Sequence, residues 1–311
     1  MAGSARVLVH VRRGGAAGPA RFGQSVTGLF CAAHEDAALV NVALVNCGLA
    51  RGHLLLSDQP FPGSTAALLK RPPCGPAEQP GGQPGVPVPS GVAAGVAVLL
   101  RASTGHVLLT RRARSLSTFP NVWVPPGGHV EPGEELLDVG LRELQEETGL
   151  RLGAGTFSWR VLGLWESMYP PAPSQGPPRR HHIVTYLLLL SAESHRWLEA
   201  RMRPSESEVS AYAWLEPPVL EAIATTEEGA EMPGIVPSAL PATISITELS
   251  GGSSRVTHIP TVTLLPAALA HGDDVERVSA GTRFALRLCL ESLGHRGHGG
   301  DQGNVTPLPS K

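Results

Sequence analysis

The chain has 311 residues, of which 42% are hydrophobic and 17% charged, and its net charge is −2. This length suits one large domain or two modest ones, and the apolar content is enough for a buried core, which argues against a disordered acidic or basic protein. A net charge near zero gives no overall field that attracts nucleic acid or a membrane surface, so any phosphate binding must come from local clusters or from bound metal.

Proline and glycine divide the chain into four parts. Residues 1–71 contain short apolar runs at 7–11, 38–45 and 53–56, which predict a β-rich N-terminal region. Residues 72–89 are a Pro/Gly linker that suits neither a helix nor a central strand. The middle domain is expected at 90–236, and a C-terminal extension follows at 237–311.

Apolar periodicity predicts alternating strands and helices after the linker. The predicted strands are residues 91–100, 107–110, 161–165, 183–190, 211–215, 244–249 and 257–265. The predicted helices are residues 134–148, a segment from 198 onward, 219–224 and 282–293. The first two strands are expected to form a hairpin across Thr104 and Gly105, and Gly149 is expected to end the helix at 134–148.

The segment with the most specific spacing runs from Gly128 to Leu150. It reads GHVEPGE, then seven further residues, and then RELQEETGL. On a helix, Glu143, Glu146 and Glu147 lie at i, i+3 and i+4, so their three carboxylates share one face. The opposite stripe has helical spacing and is expected to face a core: Leu137, Leu141, Leu144 and Thr148.

Three like charges on one face repel by a few tenths of a kcal/mol per pair, and a hard divalent cation compensates them well. Gly127, Gly128 and Gly133 allow the preceding loop to approach such a cation or a phosphate closely, and Arg142 can pair with Glu134. The alternative is a solvated acidic helix face, which is the better interpretation of the three glutamates taken alone. The full set of fixed offsets, however, matches by chance at roughly 10⁻⁸ per window.

This pattern resembles the Nudix box, and the similarity extends to residues 107–112, 119–128, 206–209 and 214–215, so that it covers roughly 90–236. The resemblance implies an α/β/α sandwich on a mixed sheet, here with an added β-rich N-terminal region and a C-terminal extension. It also implies that Glu143 and Glu147 bind Mg²⁺ or Mn²⁺, with Glu146 as a further ligand or as the base. The Gly128 carbonyl often joins the metal shell in this family.

The implied chemistry is hydrolysis of a diphosphate. The metal neutralises the diphosphate charge and lowers the pKa of a bound water, which attacks phosphorus while a carboxylate takes its proton. Glu146 and Glu147 are therefore expected to be catalytic, and Arg142 and Glu134 are expected to brace the loop against the helix.

Basic residues outside the box are candidates for substrate binding. Arg111 and Arg112, together with Arg114, flank the loop that leads to the box and suit either phosphate binding or a solvated basic patch. Arg180 and His182 belong to an RRHH run at 179–182, which suits either a phosphate contact and an acid–base histidine or a plain surface loop.

Aromatic and acidic residues supply further candidates. Tyr169 is the best candidate for stacking on a base, Trp165 is another, and Trp123 is expected in the core. Glu166 and Glu208 suit either an additional metal ligand or base, or surface acids. The cysteines form no CxxC pair and are interpreted as reduced packing residues: Cys31, Cys47, Cys74 and Cys289.

The box predicts cleavage of a pyrophosphate bond, but it does not identify the group that is attached to the diphosphate. The resemblance favours methylguanosine-capped RNA, with methylguanosine diphosphate as a product, although a clear basic track for RNA is missing. The alternatives are NADH or coenzyme A, dinucleoside polyphosphates, damaged nucleoside triphosphates, and a non-catalytic nucleotide-binding module. The oligomeric state stays open.

Three sequence features bear on the expected location of the protein. Its first 13 residues hold a short apolar run, no apolar stretch reaches the ~18 residues of a membrane span, and the chain does not end in Ser-Lys-Leu. We therefore expect an intracellular, cytoplasmic protein with no signal peptide, no transmembrane segment and no membrane partner.

Overall fold

A computed structural model describes residues 6–31, 41–72, 91–170, 178–225, 239–265 and 275–294. Within these ranges the strands are β1 (Val9–Arg12), β2 (Gly18–Pro19), β3 (Val42–Ala50), β4 (His53–Ser57), β5 (Thr65–Lys70), β6 (Ala93–Arg101), β7 (Val107–Arg112), β8 (Val122–Val124), β9 (Gly127–His129), β10 (Phe157–Tyr169), β11 (Arg180–Ser191), β12 (Val209–Leu215), β13 (Thr243–Ser250), β14 (Ser253–Pro260) and β15 (Arg277–Val278). The helices are α1 (Val26–Phe30), α2 (Leu136–Thr148), α3 (His195–Arg201), α4 (Pro217–Thr225) and α5 (Ala280–Gly294).

The strands join in one mixed sheet. Its main path runs β14-β13-β12-β7-β6-β11-β10-β5-β3-β4-β1-β2, with β8, β9 and β15 paired at its sides. β11 lies parallel to β6 and antiparallel to β10, and β10 lies parallel to β5. The N-terminal strands and the β13–β14 hairpin thus extend the same sheet that carries the box. The boundaries expected at 72–89 and 236 fall mostly on residues outside the described ranges.

Helices cover both faces of the central strands. On one face α2 contributes Val139 and Leu144 to a core that includes Val96 and Val98 of β6. On the other face, α4 and α5 pack against the alternate residues of the same strands, with Ile223, Phe284, Leu99 and Leu188 in one cluster. This arrangement confirms the expected α/β/α sandwich on a mixed sheet.

Local sequence explains why α2 forms where it does. Its apolar stripe is buried, and Gly149 ends the helix with a φ of 74°, a left-handed conformation that glycine adopts without steric strain. A Cβ at Gly149 would also lie 2.8 Å from the backbone N of Arg203. Both the helix at 134–148 and its cap were predicted, and the helix begins two residues later than expected.

Two predicted elements differ from the structure. The expected hairpin is short, because β6 pairs with β7 only at Arg101–Val107. The strand that pairs with β6 along most of its length is β11. β6 is buried on both faces, which matches its unbroken apolar run. The predicted strand at 257–265 is also wrong in its second half, because β14 ends at Pro260 and Thr261–Thr263 form a 3₁₀ turn.

Cys47 and Cys289 are buried and serve packing, as expected, whereas Cys74 lies outside the described residues. Across the described ranges, the helices are all too short or too polar to cross a bilayer.

Candidate active site

The box folds as strand β9, a loop and helix α2, with two of the carboxylates against the strand. The Gly127 N–H donates to Glu147 Oε1 at 3.1 Å. A Cβ at Gly128 would overlap the Glu143 carboxylate, so a side chain at Gly128 would displace that group. Gly128 is therefore needed for the close approach of the backbone to the acids, whereas a Cβ at Gly127 would overlap the carbonyl of Val96 on β6.

Arg142 braces the loop against the helix. Its Nε donates to Glu134 Oε1 at 2.7 Å and its Nη2 to Glu134 Oε2 at 3.0 Å, a bidentate pair. Nη2 also donates to the carbonyl of His129 at 3.1 Å, and the Glu131 N–H donates to Glu134 Oε2. The hydrogen bonds from Arg142 hold the pKa of Glu134 below its usual value. The pair predicted from the sequence is thus present, and it fixes both ends of the loop.

The three glutamates on α2 differ in exposure. Glu143 and Glu147 are buried, with 9% and 5% of their surface exposed, whereas the Glu146 side chain is 53% exposed. Arg142 Nη1 lies between two of them, 2.8 Å from Glu143 Oε1 and 3.1 Å from Glu146 Oε2. In the described part of the chain, no three Asp, Glu, His or Cys side chains converge on one point as a metal shell.

Burial makes the ionised form of the two inner carboxyl groups, Glu143 and Glu147, unfavourable. It raises the pKa of Glu147 to about 7, and the negative charges of Glu143 and Glu208 act in the same direction. Burial likewise raises the pKa of Glu143. Buried carboxylates beside a glycine backbone match the oxygen donors that Mg²⁺ and Mn²⁺ prefer, and a cation there would offset the burial. The donor set therefore fits the divalent metal that the family implies.

Two residues of strand β7, Thr110 and Arg112, interact with Glu147. Thr110 Oγ1 lies 3.3 Å from Glu147 Oε2 and 3.2 Å from the carbonyl of Val124. Arg112 donates from Nε to the carbonyl of Thr118 at 3.0 Å, and its positive charge partly opposes the raised pKa of Glu147. Arg112 thus links the box to the loop that carries residues 117–119.

A cavity of about 440 Å³ adjoins the box. Gly127 and Gly128, which also contact the acids, form part of its wall. Its lining also includes Arg112, Arg180 and His182, three of the candidates named from the sequence. It is large enough for a nucleotide-sized group and has apolar as well as basic walls.

Two candidates lie elsewhere. Arg111 points away from the box and pairs with Glu248 at 3.2 Å and Glu276 at 3.1 Å, so it fastens the C-terminal extension rather than lining the cavity. Tyr169 is buried at the end of β10, where it packs edge-on against Phe119 with ring centroids 4.8 Å apart. Tyr169 therefore supports a cavity residue and does not itself line the cavity.

Glu166 was expected to be either an additional metal ligand or base, or a surface acid, and the structure shows neither. It is 3% exposed, and it accepts hydrogen bonds from the backbone N–H groups of Val26 at 2.7 Å and Thr27 at 2.9 Å. His181 Nε2 lies 3.0 Å from Glu166 Oε1, while the Gly23 N–H donates to Nδ1 of the same ring. Glu166 is thus a buried acid that fastens α1 of the N-terminal region to β10.

The remaining candidates lie in the core, in the cavity wall and near the box. Trp123 is fully buried and donates from Nε1 to Glu276 at 2.8 Å, so it is a core residue. Trp165 lines the cavity but is 5% exposed and packs on Phe284. Glu208 is exposed, and its charge acts on Glu143 and Glu147, so it lies near the box.

Sequence reasoning missed three contributions to the cavity wall. Arg6 comes from the N-terminal region, Phe119 from the loop before β8, and Ser279 with Gly281 from the start of α5. Phe119 has a φ of 49°, a left-handed conformation that is unusual for an aromatic residue and concentrates at functional sites. The sequence had placed Phe119 only in the stretch that resembles the approach to the box, and its backbone conformation is not visible in the sequence.

Comparison with known proteins gives consistent matches. The NUDIX domain profile matches residues 91–233. The human protein m7GpppN-mRNA hydrolase NUDT17 is 49% identical over 284 residues, covering 85% of this chain and 87% of the relative. Proteins of the same name are 49% identical in Bos taurus, over 90% of this chain and 94% of the relative, and 44% identical in Danio rerio, over 93% and 97%. These matches extend well beyond residues 91–233, into the flanking regions.

Proposed function

The chain belongs to the Nudix family and is a Nudix pyrophosphohydrolase; from that premise we propose that it cleaves the 5′ cap of mRNA and releases methylguanosine diphosphate. The observation that carries the proposal is the cavity of about 440 Å³ beside the box, whose wall brings basic and aromatic residues together with Gly127 and Gly128, the glycines that contact the acids of α2. The names of the relatives above, which are m7GpppN-mRNA hydrolases, support the same substrate.

The metal is proposed to be Mg²⁺ or Mn²⁺, held by Glu143 and Glu147 with the Gly128 carbonyl. When bound, such a cation neutralises phosphate charge and lowers the pKa of a coordinated water. The chain's own part is to keep the two carboxylates in place: the Gly127 N–H and Thr110 fix Glu147, and Arg142 contacts Glu143.

The general base is proposed to be a carboxylate of α2, and two residues qualify. Support for Glu146 comes from its exposure, because a half-exposed carboxylate can meet an attacking water without further rearrangement. Support for Glu147 comes from its position between Gly127 and Thr110, which holds it in one orientation. Replacing Glu146 by glutamine distinguishes them, because Glu147 is also a proposed metal ligand and its replacement would lower the rate in either case.

The cavity walls suit the rest of a cap. Arg112 is available for a phosphate oxygen on the side of the box, and Phe119 presents a ring that is partly exposed in the wall. A methylated guanine carries positive charge, and an aromatic face attracts a cation in addition to stacking on a base. This chemistry favours the methylated cap over an unmethylated one.

The test is a substrate panel with the full-length protein and Mn²⁺ or Mg²⁺. It compares methylguanosine-capped RNA, unmethylated capped RNA, NADH and coenzyme A by kcat/KM, which measures discrimination between substrates. We expect the methylated cap to rank first, methylguanosine diphosphate to appear as product, and Glu147→Gln to lose at least about a hundredfold in rate.

Other outcomes would point to the alternatives. A higher kcat/KM for NADH or coenzyme A than for capped RNA would indicate a dinucleotide or coenzyme diphosphatase instead of a cap hydrolase. Equal rates for the wild type and for Glu147→Gln on every substrate would contradict catalysis by the box and leave a nucleotide-binding module. Leu141→Ala, on the same helix but outside the acids, serves as a control for general damage to α2.

A further inference from the structure

The cavity has a basic end that is built from two distant parts of the chain. Arg6 comes from the N-terminal region and Arg180 from the first residue of β11, and both line the cavity. Besides burial, the charge of Arg180 lowers the pKa of Arg6, so the two guanidinium groups lie within electrostatic range of each other. Two positive charges in one cavity wall repel, and an anion bound near both would offset that repulsion.

Neither arginine has an acidic partner among the described residues. Arg142 pairs with glutamates of the box and Arg111 with those of the C-terminal extension, but no such ion pair involves Arg6 or Arg180. Their hydrogen-bond donors are therefore available to a ligand in the cavity.

Two histidines lie in the same cavity wall as the arginines. The rings of His129 and His182 have centroids 5.3 Å apart and both line the cavity. His129 Nε2 is buried without a hydrogen-bond partner in the described part of the chain. Such a group usually has a partner, here one that a ligand would supply.

The basic end is next to the catalytic acids along β9. Gly128 contacts Glu143, and the next residue, His129, belongs to the basic end. The backbone of β9 thus passes from the acids to the basic end within two consecutive residues.

We propose that Arg6, Arg180 and His129 form an anion subsite that binds a phosphate flanking the scissile bond of the substrate. The inference rests on the proposed function for its ligand, a capped RNA, in which the triphosphate bridge and the RNA backbone supply phosphates beyond the pair that is cleaved. The N-terminal region thereby contributes directly to substrate recognition through Arg6.

The first test measures binding without catalysis. Full-length protein in EDTA is titrated calorimetrically with inorganic tripolyphosphate and with a short methylguanosine-capped RNA. We expect Arg6→Ala and Arg180→Ala each to weaken both ligands about tenfold, because each removes one charge-assisted contact. Arg6→Lys should recover part of the affinity. Arg13→Ala is the matched control, since Arg13 is an exposed arginine of the same region outside the cavity wall.

A second measurement separates phosphate binding from a merely structural role. The slope of log affinity for the capped RNA against log salt should become less steep by about 0.7 for each phosphate contact that is lost. In turnover, Arg6→Ala should raise KM for capped RNA and leave kcat within about twofold of the wild type, the pattern of lost uniform binding.

The outcomes distinguish this subsite from the proposed function. Tripolyphosphate binding by Arg6→Ala and Arg180→Ala that equals that of Arg13→Ala would overturn the subsite, even if the wild type hydrolyses capped RNA. A second outcome is that the wild type fails to hydrolyse capped RNA while both variants bind tripolyphosphate more weakly than the wild type does. The cap assignment would then be wrong, and the subsite would stand for another phosphate-bearing substrate.

Discussion

Replacing Glu147 by glutamine is expected to stabilise the metal-free protein at pH 8 while abolishing hydrolysis. Burial raises the pKa of Glu147 to about 7, against 4.5 for an unperturbed glutamate. The folded protein therefore binds this proton more tightly than the unfolded chain does. As pH rises from about 4.5 to about 7, the folded state loses stability, and above pH 7 it carries the whole cost of a buried charge.

The size of the effect follows from the difference in pKa. At about 1.4 kcal/mol per pKa unit, a carboxyl that titrates near 7 instead of 4.5 destabilises the folded state by about 3 kcal/mol at pH 8 and by about 1 kcal/mol or less at pH 5. Glutamine removes the charge and keeps the shape. Its carbonyl can still accept from the Gly127 N–H, and its amide can donate to Thr110 Oγ1.

The assay is urea unfolding in EDTA at pH 5 and pH 8. The stability gain of Glu147→Gln over the wild type should be close to 3 kcal/mol at pH 8 and much smaller at pH 5. Glu146→Gln is the matched control, because the Glu146 side chain is 53% exposed and its replacement should give little gain at either pH. Addition of Mn²⁺ should stabilise the wild type more than Glu147→Gln, since the cation binds the folded state through this carboxylate.

The reasoning would be refuted by a Glu147→Gln variant that is less stable than the wild type at pH 8. A gain of equal size at pH 5 and pH 8 would also contradict it, because that result would indicate a packing effect instead of a buried charge.

Three further predictions concern residues that hold the site and its surroundings. Arg142→Ala should lower stability by about 1–3 kcal/mol in thermal unfolding and reduce kcat/KM, because Glu134 loses a bidentate partner. Glu166→Ala should lower stability by about 3 kcal/mol or more at pH 7 in urea unfolding, and the loss should shrink in acid. Burial is the largest single influence on Glu166 and opposes its ionisation, but the hydrogen bond and charge of His181 and the hydrogen bonds from Thr27 together outweigh burial and hold the pKa low. The contribution of Glu166 therefore disappears as pH falls through that pKa. Gly128→Ala should abolish hydrolysis because its Cβ would overlap the Glu143 carboxylate, whereas Gly18→Ala, which meets open space, should keep normal rates.

The sequence by itself determined the parts of the site that depend on local spacing. The helix, its Gly149 cap, the Arg142–Glu134 pair and the approach of Gly128 to the acids all lie within one short segment. Helical periodicity fixes which side chains share a face, and glycine positions mark where the backbone must come close. The fold class followed from the resemblance of this segment to the Nudix box, which implied an α/β/α sandwich on a mixed sheet.

The tertiary structure alone decided which strand residues face the cavity. Arg111 and Arg112 are neighbours on β7, yet the first reaches Glu248 and Glu276 while the second lines the cavity beside the box. Successive residues of a strand point to opposite faces, and the sequence does not say which face the neighbouring strands will present. Glu166 shows the same limit, since its partners lie 140 residues earlier in α1.

Contacts between distant segments decided the rest. Arg6 and Arg180 are far apart in sequence, and they share a cavity because the N-terminal strands join the same sheet and β1 lies beside the start of β6 through the Leu8–Ala93 bridge. Long-range pairing of this kind depends on the packing of the whole chain, and no local pattern encodes it. The sequence therefore determined the cleaving chemistry, whereas only the assembled sheet determined which residues surround the substrate.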